Sequence, residues 1–376
     1  MSRRSNLVSG AQPLMPILMA AIILAACGST ATPPGSSASG RTSATPDPTA
    51  SVPSQTSGTP SAIAPSGSGT AGPLPTPLPL APSAIIDLPD TSDAIPITAN
   101  GDDVWIGVDG AIVHVIGDTN AQRRIDVPRM RTGNGSLAVA SDGLWVADWS
   151  GNRIERLDPD TGKVQLEAHA PGPVGFFVIG DQLWVGSEAD HTVYPVDRRT
   201  GKLGSGVGST EGVAIGVGQF WQGSPSGDSI TRVDPATGSV IATIPVPSGS
   251  GCGVGGHFPE DVWAGCGKFP GSESPDGEVV ARIDPTTNAV VATVRLPIYG
   301  GVVVANHVPW FFLPRNNNGS IESSLVAADP RTGALIAARD LGPLDLDGSV
   351  LTPAALWVSD EQGRRALRFD LAALLP

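Results

Sequence analysis

The residues that could do chemistry in this chain are scattered polar side chains in short loops. They are Asp148, Trp149 and Asn152; Glu188, Asp190 and His191; Asp228; Arg315; and Asp360 and Glu361. Carboxylates grouped in this way can coordinate a divalent cation or accept hydrogen bonds from a polyhydroxylated ligand. Trp149 adds a flat apolar surface on which a ligand could stack. Lys268, Glu273 and Arg364 occupy similar loops. The five histidines, His114, His169, His191, His257 and His307, make no Ser/His/Asp or His/Glu pair by local spacing. No Gly-rich phosphate loop opens a helix. The expected metal is therefore undefined, and no cofactor is called for beyond a possible divalent cation.

Each of these residues follows a repeated phrase: turn residues, an apolar residue, Trp, then an apolar or small residue. The tryptophans are Trp105, Trp145, Trp184, Trp221, Trp263, Trp310 and Trp357, spaced by 40, 39, 37, 42, 47 and 47 residues. That period is the period of propeller blades. In the second copy, 135–140 reads as an inner strand, 144–147 as a second, 153–158 as a third and 163–168 as a fourth. An Asp-Pro-x-Thr-Gly turn joins the third strand to the fourth at Asp158, Asp197, Asp234, Asp284 and Asp329, with Arg198 replacing Pro once and Asn288 replacing Gly once. Asp accepts backbone N–H bonds, Pro presets φ and Gly tolerates a left-handed conformation, so these are turns. The spacing lacks the successive acidic positions of a calcium loop.

Seven Trp copies at one place in the repeat point to packing between blades rather than to a row of binding aromatics. Trp149 stands outside that position. The last copy has no fourth strand before Pro376, whereas 84–89 resembles the fourth strands of other blades. The expected fold is all-β: a seven-bladed β-propeller of four-stranded blades over residues 81–376, closed by an N-terminal strand that completes the last blade. In such a ring the polar loops above lie between second and third strands, on one rim of the channel.

The N-terminus speaks of location. Residues 1–26 carry Arg3 and Arg4 followed by an apolar run, and end in Leu24-Ala25-Ala26 before Cys27. This resembles a bacterial lipobox, which implies cleavage before Cys27 and its lipidation. The alternative is an ordinary secretory signal that contains a cysteine. Residues 27–80 are almost entirely Ser, Thr, Pro, Gly and Ala, too poor in large apolar groups to fold alone. They read as a linker averaging roughly 40 Å as a coil and reaching about 160 Å as polyproline. The expected place is the extracytoplasmic face of a cell membrane, with the lipid as anchor.

The net charge is −13, which argues against nucleic acid. Cys252 and Cys266 flank the hairpin of the fifth repeat, and in an exported protein a disulfide is expected. A metal site would need more ligands than His257 supplies.

Gly143-Leu-Trp-Val-Ala-Asp148 and Asn152-Arg-Ile-Glu-Arg-Leu-Asp-Pro159 resemble the YVTN/streptogramin-lyase-like propeller superfamily over about residues 84–370. The resemblance implies a propeller. In lyase members a His and a Glu act with magnesium on a cyclic lactone, but no His-x-Glu pairing here carries those residues over. The expectation is a monomeric, non-catalytic lipoprotein binding a protein, glycan or small ligand. A metal-assisted lyase or hydrolase at the channel is the alternative.

Overall fold

The computed structural model describes residues 73–374 except 92–94, 132–134, 209–212, 224–227, 247–251, 255–256, 259–260, 267–277, 299 and 318–319. Cys27, the stretch expected to be a signal segment and most of that expected to be a linker lie outside the described residues.

Alternating apolar residues and tight turns build seven four-stranded antiparallel blades arranged in a ring, six from continuous stretches of chain and the seventh from an N-terminal strand joined to three C-terminal ones; two blades gain a fifth, parallel strand. Blade 1 uses Ile97–Asn100, Asp103–Val108, Ala111–Ile116 and Ala121–Asp126. Blade 2 uses Gly135–Ala140, Gly143–Asp148, Arg153–Leu157 and Val164–His169, within a residue of the expected bounds. The remaining blades repeat the order. Apolar clusters join blade 1 to 2, 2 to 3, 3 to 4, 4 through 6, 6 to 7, and 7 back to 1. The core is thus a ring of interfaces between blades.

The tryptophans fill those interfaces. Trp145, Trp221, Trp263, Trp310 and Trp357 are essentially fully buried. Trp145, Trp184 and Trp263 each meet a phenylalanine of the next blade edge-on: Phe176, Phe220 and Phe311. Burying one such ring contributes several kcal/mol, about 3–5 by the cost of truncating it.

Closure follows the expected route. Strand β2 (Ala84–Asp87) pairs antiparallel with the third strand of blade 7, Ala84 opposite Arg368 and Asp87 opposite Arg365. Ile86 and Leu88 are buried against blades 7 and 1. The chain's last residues form a helical turn, Leu371–Leu374, in place of a fourth strand.

Two pairings were not anticipated. Strand β1 (Leu78–Pro79), inside the stretch read as linker, lies parallel to the outer strand of blade 6, with Leu78 opposite Arg339. Its proline-rich composition hides a strand, yet an outer edge tolerates Pro. In blade 5, His257–Phe258 pairs in parallel with the inner strand of blade 4.

The Asp-Pro-x-Thr-Gly turns behave as their chemistry requires. Asp158 accepts from the backbone N–H groups of Asp160 (3.1 Å) and Thr161 (2.9 Å), and Gly162 adopts φ +68°. Hydrogen bonds from the Thr side chain and the turn backbone hold Asp158 and Asp197 below the usual carboxylate range. In Asp284 and Asp329 the backbone bond leads, with the same result.

Candidate functional site: a shelf on the rim

The loops between second and third strands form one rim, as expected, but they do not contribute equally. In blade 2, Oδ1 of Asp148 accepts from the Gly151 N–H (2.8 Å) and its second oxygen pairs with Arg153. Blade 7 repeats this: Oδ1 of Asp360 accepts from the Gly363 N–H (3.1 Å) and Oδ2 pairs with Arg365 Nε (2.7 Å). A Cβ at Gly151 or Gly363 would sit 2.5 or 2.1 Å from the carboxylate, so a larger residue there would have to displace the ion pair. Asn152, His191 and Arg364 hold the left-handed position of their loops, with φ between 47° and 52°. Asp148, Asn152, His191 and Asp360 therefore build the loops.

Trp149 and Glu188 are placed differently. The indole Nε1–H of Trp149 donates to the Glu188 carboxylate in the neighbouring blade's loop. Beneath them, the Gly172 N–H donates to Asn152 Oδ1 (2.9 Å), and the Glu188 N–H donates to the Gly172 carbonyl (2.9 Å). Gly172 has φ +46°, and a Cβ there would reach within 3.5 Å of the indole nitrogen. The result is a shelf spanning blades 2 and 3. Trp149 is 38% exposed, whereas the seven repeat tryptophans are at most 6% exposed.

Asp190, in the same loop as Glu188, accepts from the Tyr194 hydroxyl. Its partial burial is outweighed by hydrogen bonds from Ser187, Tyr194 and the Thr192 backbone, which hold it below the usual range. The other expected rim residues stand apart. Asp228 is exposed on blade 4, where its Oδ1 accepts from the Ser229 hydroxyl (3.1 Å). Arg315 lies in the second strand of blade 6 opposite Glu322, its side chain outside the description. On blade 7 the Glu361 N–H donates to the Asp345 carbonyl (3.0 Å). Among the described residues, no group of three or more His, Cys, Asp or Glu is arranged to hold a metal ion. Cys252 and Cys266 are backbone partners in the fifth blade's antiparallel ladder; their side chains also lie outside the description.

Several charged residues escaped the sequence reading. Glu155, almost fully buried, sits between Arg153 (3.2 Å) and Arg129 (3.4 Å), which also holds Glu167 (2.8 Å). Burial, aided by Glu167, raises Glu155 against the opposing pull of the two arginines. At the seam of blades 7 and 1, Asp347 accepts from the Ile95 N–H, and the Ser359 hydroxyl donates to the Ile95 carbonyl (3.0 Å). Burial raises Asp347 and Asp345.

On the opposite face, an arginine two residues before the turn aspartate lies over the Trp. Arg156 covers Trp145 and donates to the Arg198 carbonyl of the next blade (2.8 Å) and to Asp142 (3.0 Å). Arg232 over Trp221 reaches the Pro285 carbonyl, and Arg282 reaches that of Pro330 (3.1 Å). The sequence signal was present as Arg-x-Asp ahead of three of the five turns, at Asp158, Asp234 and Asp284.

Blade 1 substitutes His114, stacked on Trp105 at 4.4 Å. Its Nε2 faces Asp103 (3.0 Å) and its Nδ1 faces Arg123 (3.2 Å). Arginine can only donate, so Nδ1 accepts and Nε2–H donates to the carboxylate. Neither nitrogen is left as a base; this Asp–His pair is a strut.

No family model matches the chain, and no curated protein matches it. Solved structures do. A chain of the mitotic checkpoint complex superposes with a TM-score of 0.59 at 13% identity, covering 82% of this chain and 98% of that one. U3-55K gives 0.56 at 14% identity over 75% and 93%, and the computationally designed Ika8 protein gives 0.51 at 13% over 75% and 98%. At these identities the likeness is one of fold, and the fold is a seven-bladed β-propeller.

Proposed function

We propose that this chain is a membrane-anchored, extracytoplasmic lipoprotein whose propeller binds a partner at the rim bearing the Trp149 shelf, without catalysis. The observation that carries the reading is the exposed Trp149 indole, held at a fixed angle by Glu188 on a hydrogen-bonded base. Preorganised aromatic surface of this kind is what binding sites use, because little entropy remains to be lost. A protein partner is favoured, since the mitotic checkpoint complex places a chain of this fold within an assembly.

The tether supports the orientation. Strand β1 runs parallel to the outer strand of blade 6, which rises from the third-to-fourth-strand turn toward the rim. The chain therefore enters from the face opposite the rim, and Leu74 packs against the apolar cluster shared by blades 4 to 6. A lipid on Cys27 would leave the shelf facing away from the bilayer.

The anchor is tested by labelling cells with a radioactive fatty acid and fractionating them. Label on the intact chain in the membrane fraction, with Cys27→Ala unlabelled and released, supports it; an unlabelled chain that stays soluble overturns it. The rim is tested by placing photo-crosslinkers at position 149 and on the opposite face. Crosslinks that arise equally from both faces would refute a dedicated binding rim.

A further inference from the structure

We infer that the Trp149 shelf takes a cationic group, such as a lysine or arginine side chain of a partner, seated over the indole. The inference rests on the rim reading above and names the chemistry it recognises.

Three features converge. Trp149 is the one exposed indole among the eight, so its π face is accessible while the other seven are sealed in the blade interfaces. The ring nitrogen points into the shelf and donates to Glu188, which fixes the plane of the ring. Glu188 and Asp190 stand in the adjoining loop, and among the described residues neither is ion-paired. Nearby cations are already committed: Arg153 to Asp148 and Glu155, and Arg129 to Glu155 and Glu167.

The shelf thus carries about two uncompensated negative charges beside a π face, whose quadrupole also attracts cations. Both terms select the same ligand charge. A neutral sugar would exploit the stacking face but not the charge, and an anionic ligand would be repelled. The chain's net charge of −13 steers a basic partner toward it over a longer range.

The test uses the full chain with hexalysine, hexaglutamate and maltohexaose as probes. Affinity is measured by calorimetry, and contact by fluorescence of the exposed indole. Hexalysine is expected to perturb Trp149 emission and to bind at least fivefold more tightly than to Glu188→Gln, which retains an oxygen to accept the indole N–H but loses the charge. Trp149→Ala is expected to weaken binding at least as much, with an unchanged melting temperature. Hexalysine binding equally well to both variants would place the contact elsewhere and overturn this inference, while the crosslinks from position 149 decide the rim reading separately. Perturbation of Trp149 by maltohexaose or hexaglutamate in place of hexalysine would overturn the cationic class and leave the rim as a binding face.

Discussion

The guanidinium carbon of Arg156 lies 6.0 Å from the centre of the Trp145 ring, on the strand beside it. From there the side chain crosses to the next blade and hydrogen-bonds the carbonyl that follows Asp197. One arginine thus covers the packing ring, satisfies Asp142 and ties two blades through the recurrent turn. Arg156→Ala should destabilise the fold by about 2 kcal/mol, combining a charge-assisted hydrogen bond with a cation–π contact. Arg156→Lys should recover only part of this, because an ammonium lacks the flat guanidinium that covers the Trp145 ring. Denaturant unfolding at neutral pH measures both.

The closing strand makes a second prediction. Deleting residues 81–90 removes β2 together with Ile86 and Leu88, and opens two sheet edges. Burial of two such side chains contributes about 3–6 kcal/mol, which for a domain of this size lowers Tm by about 10 °C. A calorimetric transition unchanged by the deletion would contradict closure by this strand.

A third prediction concerns Cys252 and Cys266, which face each other in the ladder of blade 5. Directly opposed strand residues have Cα atoms about 4.5–5.5 Å apart, within the range a disulfide requires. A bridge closing this loop of 15 residues would stabilise the fold by about 3 kcal/mol on the chain-entropy view. Protein recovered from an oxidising compartment and unfolded without reductant should show no titratable thiol from this pair. Cys252→Ser should lower Tm by several degrees.

Acid should act in two opposite stages. Burial raises Glu155, Asp345 and Asp347, so their charged forms oppose folding at neutral pH. As pH falls through their raised folded values toward the ordinary carboxylate range, protonation relieves that opposition and stability rises. The turn aspartates Asp158, Asp197, Asp284 and Asp329 are depressed, so their contribution is full above the ordinary range and is lost as pH falls below it. Tm against pH should therefore peak on the mildly acidic side. Asp347→Asn, which keeps an acceptor for the Ile95 N–H, should raise Tm most at neutral pH and little below the peak.

The architecture was readable because its signals are local and repeated. A Trp every forty or so residues, a turn whose chemistry is self-contained, and a last blade lacking its fourth strand imply a ring closed by Ala84–Asp87. What stayed hidden depends on contacts across strands. The pairing of Asp103 with His114 spans a hairpin, and the reach of Arg156 into the next blade depends on ring geometry. Glu155 was buried on the face turned to blade 1, which alternation alone cannot assign. Half of the rim proved to be scaffold: Asp148 with Gly151 and Arg153 matches Asp360 with Gly363 and Arg365. Aligning those two loops would have separated the shared Asp, Gly and Arg from Trp149, whose place blade 7 gives to Glu361.

Closure by β2 also sets a clock on biogenesis. Ala84 and its partner Arg368 are separated by 284 positions in the chain, the greatest part of a ribosome's work on this protein. At about 10 residues per second the strand Ala84-Ile85-Ile86-Asp87 waits roughly half a minute for its mate to be made. Throughout that time it is an apolar strand with both edges unpaired, as is the seam of blade 1 beside it. An early-emerging strand is thus open to mispairing until the last blade has been made.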